Sequence, residues 1–531
     1  MFAFIVIIPF FLRGQTSLQQ IFRFNVPYAR YFIPPVQANG DINGDGINDL
    51  IFTCGQDLDS ANSIAHVFIY HDLPDSNSAP DQILVCPQLS YIYGFGSCIS
   101  YSGDLNGDGI DDLVIGSKAS GIDNSGAVHI YYGGPTISSQ PQITLYGGDY
   151  IPGDNWSLYF GMQVWSKSDF NNDGFDDLVV RAGGPLPEHY GNIFVFLGGP
   201  VLDTICDLHL AGTVENEHLG YGFAAGDVNG DGFDDIVVTR RLIINGSTYF
   251  NYGLSIYSGG TVLSNVPVFE TILGNSVENN IISAILADGD INGDGYDDII
   301  ISCLDSIGSK LQIIYGHSDF DSLSIQEQYF STNVMKRPLF YCDLDGDEYS
   351  DLCIQHDNNG NYCGDFAVYK QDSPSIDLAY DFINTGDVNT SHYGYGFYLG
   401  DINQDGFPEF FVISQDGFPQ NTNYATILTE NYVGISDVTY PNEGFEIMCY
   451  PNPFKDRINV KLSSNQLKSN YDINIYDIKG RKVYNRRNNK SDKFSWNPLK
   501  DSDHTISSGV YILKLTDNDK LIHTAKLFYI K

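Results

Sequence analysis

Basic residues are scarce in this chain: 531 residues carry 28 Lys plus Arg against 66 Asp plus Glu, a formal net charge of -38. A surface of that sign repels phosphate backbones and anionic headgroups, which argues against nucleic-acid binding and makes cations the natural counter-partners. Long apolar runs are lacking too. The only candidate, residues 2–12, is eleven residues interrupted by Pro9, too short for a transmembrane helix. It reads either as the apolar part of a signal peptide spanning 1–14, with Gly14 near the cleavage point, or as a buried strand. The basic residues that normally precede a signal-peptide core are missing, while the export features described below favour the signal peptide. The nine Cys form no CxxC pair and no metal-ligand cluster, so they give no sign of zinc or dithiol chemistry. Cys54 and Cys303 sit at one repeat offset and read as small buried hydrophobes. Cys342, Cys353 and Cys363 are near enough in sequence for one disulfide in an oxidising compartment. Catalytic signatures are absent as well: there is no GxSxG, HExxH or P-loop, and the 11 His recur at no repeat position.

Material for folding is ample, with 42% hydrophobic and 14% aromatic residues, and the length exceeds what one core normally serves. The charge divides unevenly. Residues 1–440 hold 12 Lys plus Arg and 56 Asp plus Glu, net -44, whereas 441–531 hold 16 and 10, net +6. A break of that size places a domain boundary near Pro441.

Seven segments repeat one acidic pattern: DINGDGIND, DLNGDGIDD, DFNNDGFDD, DVNGDGFDD, DINGDGYDD, DLDGDEYSD and DINQDGFPE, starting at Asp41, Asp104, Asp169, Asp227, Asp290, Asp343 and Asp401. Their starts lie 53 to 65 residues apart, so seven units of similar length fill the acidic part. Each loop is followed by an unbroken apolar run, such as Leu178-Val179-Val180, which reads as a strand buried on both faces. Further on, alternating β-formers end in Gly-Gly, as in residues 126–134 and 191–199, a strand running into a turn. Ahead of several loops stands an aromatic-Gly pair, among them Phe95-Gly96, Phe160-Gly161, Tyr221-Gly222 and Tyr395-Gly396. About four strands per unit, without sustained helical periodicity, predict a seven-bladed β-propeller over residues 15–440. The last unit is one strand short, and residues 17–26 are predicted to supply it.

Oxygen side chains at the first, third, fifth and ninth loop positions, with Gly at the sixth, suit a hard cation held in a tight turn. That is calcium chemistry. The candidate ligands, counting the seventh residue through its carbonyl, run in unit order. They are Asp41, Asn43, Asp45, Ile47 and Asp49; Asp104, Asn106, Asp108, Ile110 and Asp112; Asp169, Asn171, Asp173, Phe175 and Asp177. The fourth and fifth units offer Asp227, Asn229, Asp231, Phe233 and Asp235, then Asp290, Asn292, Asp294, Tyr296 and Asp298. The last two offer Asp343, Asp345, Asp347, Tyr349 and Asp351, then Asp401, Asn403, Asp405, Phe407 and Glu409. Zinc would want His or Cys, and neither recurs in the loops. An EF-hand would need Glu at the twelfth position, where this chain has Phe52, Ile115, Val180, Val238, Ile301, Ile354 and Val412.

A single such loop could be a plain Asx-rich turn. Seven copies hold 27 of the 56 acids in residues 1–440, a density that needs counter-charge. Up to seven Ca²⁺ are therefore expected. The sixth loop, where Glu348 replaces Gly, and the seventh, where Pro408 precedes Glu409, should bind weakest.

The aromatic-Gly pair, the Gly-Asp ahead of the Asn-Gly-Asp-Gly core and the strand ending in Gly-Gly together resemble FG-GAP repeats, the units of the integrin α-subunit propeller. The resemblance covers about residues 18–435 and is most specific in units two to five. It implies a seven-bladed propeller with Ca²⁺ in loops on one face and a partner bound by loops on the other. No motif marks the partner loops.

Residues 441–531 read as alternating strands and turns, a small immunoglobulin-like β-sandwich. Pro451-Asn452-Pro453, Tyr476-Asp477-x-x-Gly480, Gly509-Val510-Tyr511 and Lys526 resemble the type A sorting domain of the type IX secretion system of Bacteroidota. That resemblance implies passage through a signal peptide, recognition by the outer-membrane secretion machinery, and release or display at the cell surface. The whole chain thus reads as a secreted or surface-displayed calcium-binding propeller that holds an unknown protein or glycan ligand, with no enzyme activity. The alternative is a polysaccharide-active enzyme or lectin. An enzyme should interrupt the repeat with a long insertion, and the even unit lengths offer none.

Overall fold

The apolar runs after the acidic loops become strands whose successive side chains serve two different cores. In the computed structural model Leu178 and Val180 pack with Val114, Val128 and Ile130, whereas Val179 packs with Phe223, Ile236 and Val238. Alternation of side chains across a strand is the cause: an all-apolar run is needed wherever both faces meet another sheet.

The structure describes residues 18–25, 31–33, 40–55, 65–71, 79–87, 94–118, 120, 125–150, 159–183, 190–243, 250–273, 281–304, 309–330, 336–344, 347, 349–357, 364–371, 376, 381–385, 390–400, 409–416, 423–430, 446–450, 457–463, 471–477, 481–488, 493–498, 500–501, 509–517 and 520–529. Two compact units divide between Tyr432 and Val433, slightly ahead of the charge break at Pro441. The candidate signal peptide lies outside the described residues.

The first unit is all-β. Among the described residues it holds seven antiparallel four-stranded sheets, six of them formed from strands consecutive in sequence. The third comprises Gln163–Ser168, Asp177–Ala182, Asn192–Phe196 and Leu208–Ala211. The fourth comprises Phe223–Gly226, Asp235–Ile243, Phe250–Tyr257 and Phe269–Leu273. Each candidate loop joins the first strand of a sheet to the second, so every loop is anchored by a hairpin. Apolar clusters lie between sheets that neighbour one another in sequence. Leu254 and Ile256 of the fourth sheet, for example, share a cluster with Ile299, Ile301 and Cys303 of the fifth.

The seventh sheet is the exception to sequence order. Its strands Thr390–Gly400, Glu409–Asp416 and Asn423–Glu430 are completed by Leu18–Asn25, in the order expected for a borrowed outer strand. The register pairs Leu18 with Glu430 and Asn25 with Tyr424. Leu399 of this sheet is buried in the same cluster as Leu50 and Phe52 of the first sheet and Leu113 of the second. Cys303 is buried, while Cys342 and Cys353 are free thiols; Cys363 lies outside the described residues. No helix among the described residues is long and apolar enough to cross a membrane.

The second unit has a three-stranded and a four-stranded antiparallel sheet. Ile458, Val460, Phe494 and Trp496 of the former join Ile473, Ile475, Leu513, Leu515 and Leu527 of the latter in one core. Trp496 is fully buried, with its ring edge-on to Tyr511 at 5.5 Å.

Candidate metal centre

The first Asp of each described loop curls the backbone around its own carboxylate. Asp104 accepts the Gly107 and Asp108 N–H on Oδ1 at 2.7 and 3.1 Å, and the Gly109 N–H on Oδ2 at 2.7 Å. Asp290 repeats this with Gly293, Asp294 and Gly295 at 2.7, 3.2 and 2.6 Å. The third residue follows suit, Asn292 Oδ1 accepting the Asp294 N–H at 2.9 Å, and the fifth accepts the seventh, Asp294 Oδ1 taking the Tyr296 N–H at 3.1 Å. Asp41 with Asn43 and Asp45, Asp169 with Asn171 and Asp173, and Asp227 with Asn229 and Asp231 make equivalent bonds. Nested Asx turns of this kind set successive oxygen-bearing side chains around one short arc.

Gly at the sixth position is demanded by backbone angle alone. Gly109 has φ 85°, and a Cβ there would meet nothing within 4 Å. In the second loop the fourth position needs Gly for both reasons, whereas in the third Asn172 takes the same left-handed backbone at φ 52°. Gly107 has φ 71°, and a Cβ would come within 2.3 Å of the ring of Phe175, the seventh residue of the next loop. Candidate carbonyl donors therefore carry side chains that cap the preceding loop, as Ile110 does over Gly44, Tyr296 over Gly230 and Tyr349 over Gly293.

The ninth position behaves differently from the first, third and fifth. Asp49, Asp112, Asp177, Asp235, Asp298, Asp351 and Glu409 are all wholly buried. Asp177 accepts the Phe170 N–H on Oδ2 and the Gly198 N–H on Oδ1, both at 2.7 Å. Asp112 holds Leu105 and Gly133 at 3.0 and 2.8 Å, and Asp298 holds Ile291 and Gly316 at 2.9 and 2.8 Å. Asp351 ties Leu344 to Gln371, and Asp49 ties Ile42 to the His71 ring. The ninth acid is thus a latch between the start of its loop and the turn that ends the third strand. A carboxylate has about four lone-pair sites, so these bonds leave room for a cation. Burial pushes Asp49, Asp112, Asp177, Asp235 and Asp298 up to about 7, because ionised carboxylates are poorly solvated there.

Asp235 carries the clearest sign of a missing counter-charge. Its Oδ1 accepts the Gly259 N–H at 3.0 Å, but its Oδ2 is buried with no hydrogen-bond partner. All-oxygen donors, carboxylate-rich and partly orphaned, fit a hard divalent cation. Among the described residues no three His, Cys, Asp or Glu side chains already converge as a metal cluster; the oxygens are spent on backbone amides instead. Of the sixth loop, Asp343, Asp347, Tyr349 and Asp351 are described, with Asp347 N–H donating to Asp343 and Tyr349 N–H to Asp347 at 3.2 and 3.1 Å. Asp345, Asp401, Asn403, Asp405 and Phe407 lie outside the described residues.

The eighth position escaped the sequence reading. Asp111, Asp176 and Asp297 accept the N–H of the first Asp of the preceding loop, Asp41, Asp104 and Asp227, each at 2.8 Å. Where the first loop has Asn48 instead, its Nδ2 donates to the carbonyl of Leu399 in the seventh sheet at 2.9 Å. The signal was visible as a doubled Asp at the end of loops two to five. Its partner, about seventy residues away, was not.

Comparison with known proteins agrees with these features. The FG-GAP repeat model matches residues 101–131 and 219–240, and the model of the secretion system C-terminal sorting domain matches 448–531. Integrin alpha-5 of Xenopus laevis is 29% identical over 214 residues, 38% of this chain and 19% of the relative. Integrin alpha-8 of Mus musculus is 28% identical over 180 residues, covering 32% and 16%, and integrin alpha-IIb of Mus musculus 32% over 165 residues, covering 29% and 15%. The chain thus matches less than a fifth of the length of these relatives. Its sorting domain implies secretion or an outer-surface location in a Bacteroidota-type bacterium, through the machinery that reads such tails. Loops, strands and tail together identify a chain that carries integrin-α-like FG-GAP repeats followed by a C-terminal secretion sorting domain.

Proposed function

We propose that the first unit is a closed seven-bladed propeller that binds Ca²⁺ in its acidic loops and serves as a binding or adhesion module outside the cell. Residues 1–14 would direct export and 441–531 would be read at the outer membrane. The observation that carries the reading is the buried, unpartnered Oδ2 of Asp235 within a loop whose other donors are all oxygens. Closure is supported by the borrowed strand Leu18–Asn25 and by the Asn48 bond to Leu399. The proposed ligands are the first, third, fifth and ninth side chains with the seventh carbonyl, in up to seven loops. Asp104, Asn106, Asp108, the Ile110 carbonyl and Asp112 stand for the set. Binding rather than catalysis is favoured because the strongly shifted loop acids are engaged in repeated structural bonds.

Thermal unfolding of the full chain in excess Ca²⁺ and in chelator, with bound metal counted in the same samples, tests this. The expected result is several ions per chain and a large calcium-dependent rise in Tm. No bound metal and no shift would leave the loops as turns.

A further inference from the structure

Only 12 Lys plus Arg occur in residues 1–440, yet Arg181, Arg240 and Arg241 come from neighbouring sheets at the strand ends remote from the acidic loops. Arg181 lies near the end of Asp177–Ala182, Arg240 and Arg241 near the end of Asp235–Ile243. The connection between the sheets links them. Gly220 and Tyr221 donate their N–H to the Thr239 carbonyl at 2.9 and 3.2 Å, and a Cβ on Gly220 would stand 3.9 Å from Cδ of Arg181. The guanidinium of Arg241 sits 5.0 Å from the centre of the Tyr221 ring.

The two sheets treat their arginines differently. Arg240 is neutralised, with Nη2 2.5 Å from Glu270 and Nη1 3.5 Å from the buried Glu217. Among the described residues Arg181 has no ion pair or side-chain hydrogen bond, and its Nε is buried without a partner. Burial lowers it only to about 10, so it stays charged at neutral pH. A desolvated, unpaired guanidinium is costly in a folded protein. Backbone strain gathers at the same edge. Of the four non-Gly residues with positive φ among those described, Tyr159, Asn216 and His218 lie there, at 54°, 62° and 49°. Tyr159 is exposed, and the next two amides but one, Gly161 and Met162 N–H, bond the Arg181 carbonyl at 3.1 and 3.3 Å. The same turn recurs at Gly94, Tyr159 and His218, each carbonyl accepting the N–H three residues on, so the repeat itself sets this backbone.

We propose that Arg181, flanked by Arg241 and Tyr221, binds the carboxylate of a small acidic ligand at the edge of the first unit remote from the acidic loops. The planar guanidinium fork matches a carboxylate through two parallel N–H···O bonds. A monoanion is favoured over phosphate because the net -44 of residues 1–440 penalises each further negative charge. The half-buried Tyr221 ring beside the fork suits the ring of an acidic sugar, so the probe is D-glucuronate. The proposal rests on the binding reading only in that the ligand is held and not converted; it requires no metal.

Titration of the full chain in Ca²⁺ with sodium D-glucuronate, D-glucose and inorganic phosphate in parallel tests it, read by calorimetry and ligand-observed NMR. Glucuronate should bind more tightly than glucose and phosphate. Arg181→Gln and Arg241→Gln should each weaken it at least tenfold, Arg181→Lys less, and Lys370→Gln, just after the strand Gly364–Tyr369 of the sixth sheet, not at all. Matched thermal unfolding establishes that the variants are folded, and if one does not fold the other carries the test. Binding no tighter than glucose, binding unchanged in a folded Arg181→Gln or Arg241→Gln variant, or tighter binding of phosphate overturns the assignment. Because calcium stabilisation is measured separately, loss of this site leaves the loop reading standing.

Discussion

The two units solve the problem of burying strands in different ways. The first spreads its apolar side chains over several clusters between repeated sheets and pins each loop to the turn after the third strand of its own sheet with a buried acid, as Asp112 and Asp177 do. The second gathers one core around Trp496 and uses no acidic loop. Repetition gives sheet after sheet of the first unit the same polar latch, so its stability is exposed to whatever neutralises those acids. The second unit has no such acidic latch among its described residues and should be indifferent to cations.

The widest separation between the units should come from calcium. At a hundredfold excess over Kd each occupied site contributes about 2.7 kcal/mol, so calorimetry of the full chain in chelator should lower the transition of the first unit and leave the second unmoved. A common shift of both would abolish the distinction. Next in size, Trp496→Ala should cost the second unit about 3–5 kcal/mol without altering bound calcium, measured by denaturant unfolding alongside metal counting. Asp112→Ala addresses the latch. Leaving the Leu105 and Gly133 amides buried and unpaired should cost about 2–4 kcal/mol, in chelator as well as in calcium. A loss seen only with calcium would make Asp112 a ligand and nothing more.

Acid should also distinguish the units. His129, buried in the second sheet, has Nδ1 3.1 Å from Thr144 Oγ1 and an unpartnered Nε2, and burial pulls it down to about 4. The unfolded chain takes up this proton near pH 6.5, so the stability contributed by neutral His129 is complete above that and is lost as pH falls towards 4. The effect is about 3 kcal/mol, and His129→Gln should remove it from a pH series of unfolding curves. Smallest is Gly109→Ala, which meets no atom but must hold φ 85°; about 1–2 kcal/mol is expected, against a prohibitive clash for Gly103→Ala, whose Cβ would overlap the Ser166 carbonyl.

Much of the fold was legible because the signals are local. Leu178-Val179-Val180 announces a two-faced strand within three residues, and the shortage in the last unit pointed to residues 17–26 as its completion. The loops were legible for the same reason, since the first, third and fifth positions act on amides within five residues. What escaped were the side-chain bonds that leave their own unit or span it. Asp177 finds Gly198 across an intervening strand, Asp176 finds Asp104 in the preceding loop, and Arg181 meets Tyr221 only through the packing of two sheets. One copy of a repeat carries no mark of the neighbour it will touch.

The pairing of Leu18–Asn25 with Asn423–Glu430 makes the order in which the chain emerges part of its folding. The first strand to appear waits for the last of its unit, and loop closure over some four hundred residues is slow. Throughout synthesis one sheet stays incomplete, with an unpaired edge that invites association. A chain that crosses a membrane before residue 430 has emerged would cross without its final sheet, so completion of that sheet would report arrival on the far side.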